Sequence, residues 1–431
     1  MKSLFTKFYP GLGAFLLCLG FSDGTLAQQR PRNIILIIGD GMGLHQVSAS
    51  YLQQTLREPS ESWNMARFPY VGLASTVSFD ALITDSGAGA TALSTGRKTY
   101  NGAVGVGSDT MPLPTLLELA AKAGKKTGML VTSEVTHATP ASFAAHRKDR
   151  DLVEDIALDL SRAPLDWLVG GGRNHFVNRQ DQRDLLYEMS EASGVLPVNT
   201  SPEILSPKLR PIATPLIGLL WDGPAPSILQ GRDPQLMSML ATRACRDLDR
   251  VHRPDVDSGF FLMIEGSQID WGGHANDGDY VITETQDLDR VVGAVLDFAQ
   301  KDGQTLVVLT ADHETGGMAI QSGARDGSNM KFAFTTKKHT PVLVPVLAYG
   351  PGAERFAGWM TIPTSPYAWP NYGPYRCAKA FRFLRFALGS TDLPARRELN
   401  GKVSAGVQSL DDAFRIPGQG RNRVQGIVLI K

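Results

Sequence analysis

Residues 33–41 read Asn33-Ile34-Ile35-Leu36-Ile37-Ile38-Gly39-Asp40-Gly41. Five consecutive apolar residues, four of them β-branched and none alternating with a polar one, predict a strand buried on both faces. The Gly-Asp-Gly that follows predicts a tight turn at its carboxyl end. Working outward, residues 127–131, 260–264 and 305–309 form similar runs, each followed within a few residues by polar or acidic groups. Amphipathic helical stretches lie between them, at 114–123 and 282–299. Strands alternating with helices predict an α/β fold, with a central, mostly parallel sheet flanked by helices. Sites in such sheets form outside the carboxyl ends of the strands, which is where Asp40, Glu265 and Asp312 fall.

The chain has 431 residues, 42% of them hydrophobic and 20% charged, a globular composition. Lys plus Arg and Asp plus Glu stand at 43 each, so bulk charge selects neither nucleic acid nor an anionic surface as partner. Lys2 and Lys7, an apolar stretch over 11–21, and small residues at Thr25 and Ala27 predict a signal peptide over residues 1–27. Export to the periplasm or the extracellular medium follows. The apolar stretch is too short to span a bilayer comfortably, and Leu17 before Cys18 is too large for a lipoprotein signal. After cleavage only Cys245 and Cys377 remain, too few for a disulfide framework. Residues 163–240, rich in Pro, Gly and Trp, are expected to form an irregular insertion of surface loops within one catalytic domain over residues 28–360.

Four segments carry chemistry. Ser86 precedes the small residues Gly87-Ala88-Gly89-Ala90-Thr91-Ala92. At a helix start it is either an ordinary N-cap or a nucleophile beside free N–H groups that hold a phosphoryl group. Residues 265–274 place Glu265, Asp270 and His274 after a buried strand, with Gly272 and Gly273 allowing close approach. Asp312 and His313 lie at a second strand end before Gly316-Gly317, and His339 precedes a third apolar run. Three of the chain's eight histidines fall in these places. Imidazoles mixed with carboxylates (Asp40, Asp270, His274, Asp312, His313, His339) suit zinc. The harder oxygen set Asp40, Thr139 and Glu265 suits magnesium with retained waters.

Taken together, NIILIIGDGMG (33–43), 84–92, HATPASFAAHRKDR (137–150), 265–274, TADHETGG (310–317) and His339-Thr340 resemble the alkaline phosphatase family in family order. The resemblance implies an alkaline-phosphatase-like three-layer sandwich that hydrolyses small-molecule phosphate monoesters through a phosphoserine on Ser86. Arg150 would grip phosphate oxygens as a planar fork. It further implies two zinc ions (Zn2+), one on Asp270, His274 and His339 and one on Asp40, Asp312 and His313. One magnesium ion (Mg2+) would sit on Asp40, Thr139 and Glu265. A homodimer is also implied, with no membrane association after signal cleavage. His137 and Trp271 depart from the aspartate and lysine that enteric bacterial enzymes have beside the magnesium, and they leave the third metal open.

The other departure follows Met360, where family members continue with a sequence such as DNTDIPLRMA. Restoring one G after the Met360 codon, with free choice of codons, lets the shifted frame read that continuation. Residues 361–431 are therefore expected to be a frameshifted, poorly ordered tail. Related enzyme classes fit less well: the C/S-x-P-x-R setting of sulfatases is absent around Ser86, and diesterases usually place Thr there and lack an equivalent of Arg150.

Overall fold

A computed structural model describes residues 30–209, 214–250, 259–361, 383–385 and 387–388. The expected signal peptide lies outside the described residues. In chain order the strands are β1 (Asn33–Gly39), β2 (Tyr70–Ser75), β3 (Lys126–Glu134), β4 (Trp167–Gly171), β5 (Leu196–Val198), β6 (Leu216–Leu219) and β7 (Phe260–Gly266). They continue with β8 (Thr305–Thr310), β9 (Glu314–Thr315), β10 (Met318–Ser322), β11 (Lys331–Phe334), β12 (His339–Thr340), β13 (Val344–Tyr349) and β14 (Gly358–Thr361). Ten of them form one sheet, ordered β14-β2-β13-β8-β1-β7-β3-β4-β6-β5. Only the pairings of β13 with β2 and β8 are antiparallel within it.

The continuous apolar run at 34–38 ends up where such runs are most stable, in the middle of a parallel sheet. Every residue of β1 is buried. Ile34, Leu36 and Ile38 enter one core, with the helices Leu116–Lys122, Ala138–Ala144 and Val153–Leu160. Ile35 and Ile37 enter the other, with Leu236–Asp249 and Gly278–Asp302. Burial of each such side chain is worth roughly 1.5–3 kcal/mol. These two helical layers and the sheet make the expected three-layer sandwich. Among the described residues no helix is long and apolar enough to cross a membrane.

Two expectations need correction or comment. Residues 163–240 are not surface loops: they supply β4, β5 and β6, one edge of the main sheet, and most of the first turns of a core helix. Their strands are three to five residues long and include Gly170, Gly171, Pro197 and Gly218, so no long β-branched run marks them. Of the residues from 361 on, Thr361 closes β14, while Phe383, Leu384, Ala387 and Leu388 are buried in the first core. The rest of that stretch lies outside the described residues.

The second core also holds a charged knot. Arg232, 1% exposed at its side chain, donates to Glu284 and Asp287, which are 2% and 4% exposed. Replacing Arg232 by Ala strands two buried carboxylates, which is expected to cost about 3–5 kcal/mol. Removing Arg67, exposed beside Asp297, is expected to cost within about 1 kcal/mol. Thermal midpoints of the two variants check the contrast, and equal midpoints would contradict it.

Candidate metal and phosphate site

Four neighbouring strand ends, those of β8, β1, β7 and β3, deliver the chemistry to one place. Asp40 follows β1, and its N–H donates to Gly266 O at the end of β7 at 3.1 Å. Gly41 must be glycine. Its φ is +71°, and an added Cβ would stand 2.6 Å from the Asp270 Cα. Glu265 lies one residue before the end of β7, and the helix Gln268–Ala275 carries Asp270, Trp271 and His274. The i, i+4 spacing puts Asp270 and His274 on one face, with Asp270 Oδ2 3.3 Å from His274 Nε2. Asp312 and His313 follow β8, and His339 opens β12. Thr139 lies in the first turn of Ala138–Ala144, whose N-cap is His137.

Three groups of potential ligands emerge, the ligand atoms of each lying within 4.8 Å of one another. They are Asp270, His274 and His339; Asp40, Asp312 and His313; and Asp40, His137 and Glu265. His137, expected only as a neighbour of the third group, is therefore a member of it. Thr139 Oγ1 is buried without a hydrogen bond, as are both Asp40 oxygens, Asp312 Oδ2 and Glu265 Oε1. Trp271 stands edge-on to His137 at 6.2 Å between ring centroids.

Hydrogen bonds fix the histidine tautomers. His274 Nδ1 lies 2.6 Å from Lys337 O and His339 Nδ1 2.9 Å from Thr84 O. A carbonyl only accepts, so both Nδ1 atoms carry the proton. Their Nε2 atoms, 3.2 Å apart, then point lone pairs at each other and at Asp270. The Thr315 hydroxyl donates to Asp270 Oδ1, so it can only accept from His313 Nδ1 at 3.2 Å. His313 Nε2 is thereby left facing Asp312 Oδ2 at 3.3 Å, Asp40 Oδ1 at 3.5 Å and Ser86 Oγ at 3.2 Å. Converging lone pairs and orphaned carboxylate oxygens fit cations.

Titration follows the same logic. Burial pushes Asp40 and Asp312 well above the usual carboxylate range, and the neighbouring carboxylates push further. Burial lifts Glu265 to about 7 against a hydrogen bond from Ser267. Burial also favours neutral Asp270, but the hydrogen bond that His274 gives it when Nε2 is protonated, together with the charge of the nearby imidazoles, outweighs burial and holds this carboxyl below its ordinary value. His137 is driven down to about 4 by burial and then by Arg150.

Ser86 is not the N-cap. Asp85 is, accepting from Ala88 N at 2.9 Å, and Ser86 opens the helix Ser86–Thr95. The other Asp85 oxygen accepts from Arg150 Nη1 at 2.9 Å, while Arg150 Nη2 lies 3.2 Å from His137 Nε2. Arg150 is thus held beside the serine and half-open to solvent. The sequence reading missed Asp85 and Thr315. Each was visible only as a polar neighbour of a chosen residue.

The alkaline phosphatase family model matches residues 31–333. The chain belongs to this family. It is 40% identical over 303 residues to alkaline phosphatase 3 of Bacillus subtilis (strain 168), a match that spans 68% of this chain and 63% of that relative. It is 34% identical over 373 residues to alkaline phosphatase 4 of the same organism, spanning 81% and 78%. The solved alkaline phosphatase of the Antarctic bacterium TAB5 is 36% identical, with a TM-score of 0.71 over 84% of this chain and 99% of that one. A histidine-to-glutamate variant of the TAB5 enzyme carries Mg in its M3 site.

The raised carboxyls make protons and cations rivals. In the metal-free alkaline phosphatase fold, Glu265 takes up a proton on folding, so its contribution to stability is lost as pH rises from 4.5 to about 7. Bound cations cancel that loss. The rise in thermal midpoint on adding divalent metal ions is therefore expected to grow as pH rises to about 7 and to level off above it, with proton release on binding below about 7. A metal-induced rise independent of pH would contradict the assignment.

Proposed function

We propose that this protein is an exported phosphatase that hydrolyses small-molecule phosphate monoesters through a phosphoserine on Ser86. One observation carries the reading: Ser86 Oγ stands at the first turn of a helix, 3.2 Å from His313 Nε2, beside an arginine held by the N-cap of the same helix. The helix N-terminus and the guanidinium both attract a dianionic phosphoryl group. Ser86 Oγ gives up its proton and attacks phosphorus in line, the P–O bond to the alcohol breaks and the departing oxygen takes up a proton. Water then attacks the phosphoserine, breaking its P–Oγ bond, releasing inorganic phosphate and returning a proton to Ser86. Arg150 binds two non-bridging oxygens, exchanging its contact with His137 for the substrate.

We assign two zinc ions to Asp270, His274, His339 and to Asp40, Asp312, His313. We assign one magnesium ion to Asp40, Thr139 and Glu265, with His137 in the same group. Such ions supply a lowered hydroxyl pKa and neutralise charge on attacking and leaving oxygens. Mg is bound in the M3 site of a TAB5 variant that has glutamate in place of a histidine, whereas the third group here includes His137. The magnesium reading rests on the hard oxygen donors of Asp40, Thr139 and Glu265. Export to the periplasm or medium is supported by the residue pattern at 2–27. A homodimer is proposed from family resemblance alone.

Hydrolysis of p-nitrophenyl phosphate is expected to vanish on chelation and to return with zinc plus magnesium. Ser86→Ala is expected to lower turnover about a thousandfold or more with metal content retained. Arg150→Ala is expected to cost about 100- to 1000-fold in kcat/KM and to weaken inhibition by inorganic phosphate. Full activity in Ser86→Ala would rule out the phosphoserine route, and metal-loaded wild-type protein without turnover would rule out the function.

A further inference from the structure

Glu314 follows Asp312 and His313 but belongs to none of the three ligand groups. It is 1% exposed, and among the described residues no cation pairs with it. Its carboxylate accepts instead from Gln46 Nε2 at 2.7 Å, from the N–H groups of Gly317 and Met318 at 3.2 Å each, and from the Thr340 hydroxyl. A buried anion is costly unless donors surround it, and charge-assisted hydrogen bonds of this kind are short and directional.

The donors come from three segments that carry the site. Gln46 lies on the helix Leu44–Arg57, which starts just after the Asp40 turn, and it donates to Thr315 O as well at 2.9 Å. Gly43, in that turn, lets the Glu314 side chain in: an added Cβ would meet Glu314 Cγ at 2.3 Å. Gly317 and Met318 follow the segment of His313. Thr340 follows His339 and pairs with Glu314 across β9 and β12, while His339 pairs with Thr315.

We infer that Glu314 is a positioning residue for His339. By holding the Thr340 hydroxyl it fixes the short strand from which His339 aims Nε2 at Asp270 and His274. The His339 Nδ1 bond to Thr84 O sets the ring's rotation; the Glu314–Thr340 bond sets where the ring's backbone stands. The inference rests on the reading of Asp270, His274 and His339 as a zinc group.

The test is zinc titration of the full chain in competition with a chromogenic chelator, with circular dichroism of each metal-free variant. Thr340→Val keeps the shape and removes the hydroxyl, Thr340→Ser keeps the hydroxyl, and Glu314→Gln keeps the shape and removes the charge. One class of zinc site is expected to weaken about 10- to 100-fold in Thr340→Val and Glu314→Gln, with Thr340→Ser near wild type. Wild-type zinc affinity in Thr340→Val, or equal weakening in Thr340→Ser, overturns the positioning role. The Thr340 pair decides the matter even where Glu314→Gln does not fold. Wild-type protein that binds no zinc overturns the metal reading itself, and the inference with it.

Discussion

Four carboxylates buried together, those of Asp40, Glu265, Asp270 and Asp312, are the constraint on which the rest of this molecule depends. They are 0%, 1%, 4% and 2% exposed. Their mutual repulsion in a medium that solvates charge poorly would disrupt an ordinary core. Burial first, and the neighbouring carboxylates after it, favour the protonated forms, so Asp40, Asp312 and Glu265 are all raised. The parallel strands around β1 contribute what makes such a cluster tolerable. Their two-sided apolar burial anchors the turns that carry the carboxylates.

The acidic residues are held from outside by a second set of polar contacts that face away from any ligand. Thr315 joins Asp270 to His313, and the carbonyls of Thr84 and Lys337 orient His339 and His274. Asp85 caps the serine helix with one oxygen and holds Arg150 with the other. Ser86, the arginine beside it and the nearest imidazole therefore share a frame. Displacing any one of them disturbs the others through one or two hydrogen bonds, a short coupling path that needs no moving domain.

The sequence made the centre of this arrangement legible and its edges obscure, for physical reasons. Runs such as 34–38 and 260–264 are unbroken because both faces of those strands are covered, so their class and place could be read directly. Asp270 and His274 were legible as a pair because helical spacing is local. The edge strands β4, β5 and β6 were not, since three to five residues with Gly and Pro leave almost no periodic signal. Ser86 reads in the sequence as either an N-cap or a nucleophile, because Asp85 and Ser86 are both good N-caps and only the fold puts the cap at Asp85. His137 was identified as a neighbour and not a member of its group, a distinction that depends on distances across unlinked segments.

The tautomers carry the chemical logic furthest. A histidine whose Nδ1–H is spent on a backbone carbonyl can offer only Nε2 inward, and in the neutral imidazole that atom is an acceptor. Two such atoms 3.2 Å apart, with a carboxylate against them, can be satisfied by a proton on one imidazole or by a cation shared among all three. A proton joins the two imidazole nitrogens in one hydrogen bond and leaves Asp270 off its axis; a tetrahedral cation satisfies each ligand along its own axis. The same competition governs Glu265, so a site of this construction is most open to cations where protons are scarce.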